Sequence, residues 1–137
     1  MTTKAAGTNV SLAAALRAGL TAGVIAALIN AGVYFAARAL LGGPLAVDTP
    51  TTDAVGLSFI LLFSIVPPLV AGALYWLLDR FLANPNPAFL SIAALVFIGF
   101  IFPPIFASPS PITGWALEIT HGVVAVPTIM ALLGLKR

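Results

Sequence analysis

Glu118 and His121 are the residues of this chain whose types and spacing could do chemistry. A separation of three puts both on one face of a helix, with a carboxylate in reach of an imidazole. The segment around them, 114–135, carries no other charge before Lys136, and a charge inside such a segment is costly enough to be informative. At 1.5 Å per residue, Glu118 lies about 5 Å and His121 about 9 Å beyond Trp115. Asn30 in the first apolar segment and Ser58 in the second fall at comparable depth. Asn30, Ser58, Glu118 and His121 therefore form a candidate polar pocket. It could relay protons, or bind a cation, a small polar ligand or the iron of a haem. The structural alternative is that Glu118 touches headgroup water with His121 as its partner, while Asn30 is an interhelical hydrogen-bond peg. One histidine and one carboxylate fall short of the three protein ligands of a catalytic zinc site. A two-histidine haem cannot be built from a single histidine. The expectation is no catalytic residue, no metal site and no resident cofactor, with a haem or pigment held through His121 as the exception.

Composition dictates the elements that must position these groups. Of 137 residues, 61% are hydrophobic and 7% charged, six Lys/Arg and four Asp/Glu. A soluble domain carries about a quarter charged residues. With a mean hydropathy of +1.12, there is too little polar side chain to clothe a water-exposed globule of this size. A soluble enzyme and a disordered chain are excluded. The net charge of +2 is too small and dispersed for tracking nucleic-acid phosphates. Cysteine is absent, which removes disulfides, thiolate zinc sites and iron–sulfur clusters.

Charges and proline clusters cut the chain into four apolar segments, 18–37, 54–78, 88–106 and 114–135, each near the 20 or so residues that cross a bilayer. The first is longer than the apolar core of a cleaved leader and reads as a membrane anchor. The expected fold is all-α, a four-transmembrane-helix bundle with antiparallel up-down order in one membrane domain, 1–137. Lys4, Arg17, Arg80, Lys136 and Arg137 would share one side against Arg38 on the other, so the positive-inside rule places both termini in the cytoplasm. Tyr75-Trp76, Tyr34-Phe35 and Trp115 are expected at the headgroups. The loop 38–53, with Gly42-Gly43-Pro44 and Asp48-Thr49-Pro50, reads as turn chemistry without a further element. The polar stretch up to Val10 reads as a mobile lead-in, with Ser11 a helix cap.

Helices in hydrocarbon associate through small residues that let backbones approach. Gly19, Gly23, Ala27 and Ala31 form one such ridge on the first segment, and Ala14, Ala18, Ala22 and Ala26 form another that ends at Asn30. Ser64, Pro68 and Gly72 repeat the spacing on the second. These ridges predict packing within the chain, with two neighbours for the first helix. Pro67-Pro68 and Pro103-Pro104 remove backbone donors inside helices and predict kinks.

The run Leu62-Phe63-Ser64-Ile65-Val66-Pro67-Pro68, Phe81 with Pro87-Ala88-Phe89, the Pro103-Pro104 pair, and Glu118-Ile119-Thr120-His121 with Ala125 and Pro127 together resemble a domain-of-unknown-function family of small bacterial four-helix membrane proteins. The resemblance implies the four-helix architecture, a bacterial inner membrane and His121 as a family position; it implies no activity. The expected role is that of a multi-pass, non-enzymatic membrane protein, structural or accessory, with lipid and either further copies of itself or a larger membrane complex as partners. A solute, ion or proton pathway through Asn30, Glu118 and His121 is the rival reading.

Overall fold

A computed structural model describes residues 9–136, with the side chains of 101–103 excepted. Lys4, Arg137 and the side chain of Pro103, all used above, lie outside the described residues. In chain order the elements are α1 (Leu12–Leu41), β1 (Leu45–Thr49), β2 (Thr52–Val55), α2 (Leu57–Phe81), α3 (Asn86–Ala107), α4 (Pro111–Leu133) and a 3₁₀ turn, Gly134–Lys136. All four α-helices are long and apolar enough to cross a membrane. Their outward surfaces carry large apolar side chains such as Leu28, Leu95 and Phe106, which only a non-aqueous surround tolerates in such number.

The helices differ from the apolar segments for local reasons. α1 starts at Ser11, whose hydroxyl accepts from the Ala14 amide, and ends at Gly42, whose φ of 65° supplies a left-handed cap that glycine adopts without strain. It runs through Arg17 and Arg38, because a long basic side chain can leave the apolar zone while its backbone stays helical. α3 and α4 begin inside the proline clusters, with proline in the first turn, where a missing N–H costs nothing. α2 passes through Pro67 and Pro68, and α3 through Pro103 and Pro104, without losing its helical assignment.

The loop after α1 corrects the sequence expectation, for it holds an antiparallel hairpin. Leu45 pairs with Val55, Ala46 with Ala54 and Thr49 with Thr52. Thr49 closes the turn by accepting from the Thr52 amide and donating to its carbonyl. Leu45, Val47 and Val55 point inward, the alternation of a half-buried ribbon, while Asp48 and Asp53 are exposed. The inward face joins Tyr34, Ala37, Ile60, Ala116 and Leu117 in one apolar cluster, so the hairpin plugs that end of the bundle. A second cluster closes the other end with Val10, Ala15, Tyr75, Phe89 and Leu132. Val10 is thus core and not part of a mobile lead-in.

Between the clusters the helices meet through small residues. α1 packs against both α2 and α4. A Cβ on Gly19 would collide with the Pro68 carbonyl oxygen, one on Gly23 would stand 3.1 Å from the Ser64 carbonyl oxygen, and one on Gly72 would stand 2.6 Å from that of Ala15. Pro68 cannot donate to the Ser64 carbonyl, and Gly23 lets α1 lie directly over that freed acceptor.

The tyrosines depart from the headgroup role. Tyr34 and Tyr75 are buried. Tyr75 donates to Asn86 Oδ1 at 2.6 Å and meets Phe89 edge to face. Buried tyrosines of this kind need a partner for the hydroxyl and find one inside the protein. Phe35 and Trp115 remain exposed, and Arg80 lies over the Trp76 ring, 4.9 Å from its centroid.

Candidate functional site

Asn30 is fully buried on α1. Its Nδ2 donates to Ser64 Oγ on α2 at 2.9 Å and to the Thr120 carbonyl oxygen on α4 at 3.2 Å. A carbonyl can only accept, so this contact fixes the amide with its nitrogen toward α4. Ser64 Oγ in turn donates to the Ile60 carbonyl at 2.7 Å. One amide group therefore ties three helices. Leucine at position 30 would break both bonds; membrane double-mutant cycles put such contacts at about 0.6–1.7 kcal/mol each. Asn30→Leu and Ser64→Ala should each lower the unfolding free energy by about 1 kcal/mol in detergent. Their double variant should lose less than the sum, as measured by a double-mutant cycle.

Glu118 and His121 belong to a different seam. On α4, Gly114, Glu118 and His121 follow one another along one strip of the helix. Gly114 faces Pro104 of α3 and Ser108 just after it, and the His121 ring stacks on that of Phe100 with 6.2 Å between centroids and 24° between planes. Glu118 lies between them in height on this strip, away from the Thr120 carbonyl that meets Asn30. One of its carboxylate oxygens, Oε1, is buried with no hydrogen-bond partner among the described residues. The imidazole does not meet this carboxylate, since no ion pair joins them among the described residues. His121 instead places Nδ1 2.7 Å from the Leu117 carbonyl oxygen, which also accepts from Thr120 Oγ1.

The structure thus divides the four residues expected to form one pocket. Asn30 lies in the α1–α2–α4 node, and Glu118 and His121 in the α3–α4 seam. Ser58 is exposed on the first turn of α2 and joins neither. The serine that meets Asn30 is Ser64, about two turns deeper, where the sequence predicts only a packing residue. Depth along a helix was countable from the sequence, whereas the face each residue presents was not. Of the packing residues, Gly19, Gly23, Ala27 and Gly72 are all buried.

A further polar centre was hidden among the charges taken for span boundaries. Asp79, in the last turn of α2, is fully buried. Its Oδ2 accepts from the Val10 amide at 2.7 Å, and its Oδ1 stands 2.6 Å from Lys136 Nζ. The start of α1, the end of α2 and the turn after α4 meet at this one carboxylate. Its signal in the sequence is a lone acid and a lone lysine at the same ends of two spans.

No curated protein and no solved structure matches the chain. A family of unknown function, DUF6069, matches over residues 10–137, a range that takes in the whole bundle, from the Val10 amide at Asp79 to the turn after α4. The chain belongs to this family of unknown function.

Proposed function

We propose that this chain is a non-enzymatic integral protein of a bacterial inner membrane, acting as a structural or accessory helix bundle that forms oligomers or joins a larger membrane complex. The observation that carries the reading is the Asn30 node. The Asn30 amide donates to a side chain on α2 and to a backbone carbonyl on α4, which ties three helices together as in a scaffold. The antiparallel up-down order is supported by the small-residue contacts, in which Ala15 faces Gly72, Gly19 faces Pro68 and Gly23 faces Ser64, numbers rising on α1 as they fall on α2. Cytoplasmic termini are supported by the basic residues, with Arg17, Arg80 and Lys136 toward the Asp79 end and Arg38 toward the hairpin. For a partner, α3 offers the least covered helix surface, with Leu95, Val96 and Ile98 turned outward.

Purification in mild detergent followed by native mass measurement tests this role. A defined oligomer or a stoichiometric companion protein is expected. A monomer that brings nothing with it from its native membrane would overturn the reading. The alternative, a solute or ion site in the half of the bundle near the hairpin, is favoured by one observation, the buried and unpartnered oxygen of Glu118.

A further inference from the structure

We propose that the hairpin end of the α3–α4 seam is a binding site for a small monovalent cation, with the Glu118 carboxylate as its charged ligand. This rests on the alternative reading above and is independent of the accessory role.

The first argument is that acceptors without helix donors occur on both helices of the seam. Glu118 Oε1 is buried with no donor near it among the described residues. Opposite, on α3, Pro103 and Pro104 have no N–H, so the carbonyls of Gly99 and Phe100 are left without the helix donors that would otherwise engage them. The level matches: Gly114 is set against Pro104 and His121 against Phe100, which puts Glu118 across from the stretch between those two. His121 adds to the pattern. The Leu117 carbonyl can only accept, so the ring's proton is on Nδ1, and the Nε2 of a neutral ring is then a further acceptor.

A buried carboxylate oxygen without a donor, in a medium of low dielectric, calls for a proton or a cation beside it, and the test below separates the two. Hard oxygen donors suit alkali and alkaline-earth ions. With a single carboxylate in the seam, one positive charge is neutralised and a second would be left over, which selects a monovalent ion.

A recess of about 350 Å³ opens at the turn between α3 and α4, lined by Ile105, Ser108, Ser110, Gly114 and Trp115 among others. Ser108 Oγ is buried there with no hydrogen-bond partner among the described residues. Gly114 forms part of the lining, and Glu118 follows one helical turn deeper on the same strip.

The test uses the full chain in detergent, with its thermal midpoint measured against NaCl and KCl at constant ionic strength set by choline chloride. A saturable rise of the midpoint with Na⁺ or K⁺ is expected. In E118Q the apparent affinity should fall by about tenfold or more, while S64A, which alters the node on another face of α4, should start from a lower midpoint and keep the ion response. No ion response in the wild type, an equal response in E118Q, or a rise produced by acid alone in choline chloride would each overturn the assignment. The oligomeric mass, read separately, bears only on the accessory role.

Discussion

Gly19→Val should destabilise the bundle by about 1–3 kcal/mol, the range of a forced overpacking in a close-packed interior, and should do so without removing any polar group. The reason is local. At this position α1 lies on the backbone of α2, where a Cβ would collide with the Pro68 carbonyl oxygen and stand 3.4 Å from Leu69 Cα. Neither is the end of a flexible side chain, so the helices themselves must part. Parting them strains the Asn30 node about three turns further along α1 as well. Gly72→Val meets the Ala15 carbonyl in the same way and should cost a similar amount. Gly32→Ala is the control, because a Cβ there meets nothing within 4 Å and alanine is the better helix former by about 1 kcal/mol. Thermal unfolding of the three variants in one detergent checks the set. Equal midpoints for Gly19→Val and Gly32→Ala would show that α1 and α2 do not touch as described.

The second large effect is expected at Asp79. Removing one partner of a buried ion pair costs about 3–5 kcal/mol when both are fully enclosed. Lys136 is 21% exposed, so water relieves part of that, and Lys136→Met should lose about 1–3 kcal/mol. Asp79→Leu removes the acceptor of the Val10 amide as well as the lysine's partner, and should free both chain ends at once. Hydrogen exchange at Val10 and proteolysis near Lys136 should rise together in that variant. The double variant Asp79→Leu/Lys136→Met should be less destabilised than the sum of its parts, since no unmatched charge is left behind. Strict additivity would mean that the two groups do not interact.

The four helices were legible because composition and segment length leave little choice for so apolar a chain. The α1–α2 contact was legible too, from Gly19 and Gly23 on one helix and Ser64, Pro68 and Gly72 on the other at matched spacing. What escaped was everything that depends on which face a residue turns. Ser58 and Ser64 are both serines of the second span, and only the rotation of α2 separates an exposed hydroxyl from the partner of Asn30. Asp79 looked like a boundary marker because, in sequence, a charge at the end of a span faces water by default. It is buried because the start of α1 and the turn after α4 close over it, contacts spanning 69 and 57 residues of chain that no local pattern encodes. The hairpin was hidden by its turn residues, Gly43-Pro44 and Thr49-Pro50, which drew notice away from the alternation of Leu45, Val47 and Val55. For Glu118, the sequence singled out the carboxylate, and the structure sets it away from the Thr120 carbonyl that meets Asn30.

The proposed topology has four spans that put the hairpin on one side of the membrane and the α2–α3 loop on the other. The chain has no cysteine, so single cysteines can be placed without background. Thr51, at the hairpin turn, and Asn84, between α2 and α3, are both exposed. In intact cells a membrane-impermeant thiol reagent should label Thr51→Cys at once and Asn84→Cys only after permeabilisation. Labelling of Asn84→Cys from outside, or equal labelling of the two, would contradict it.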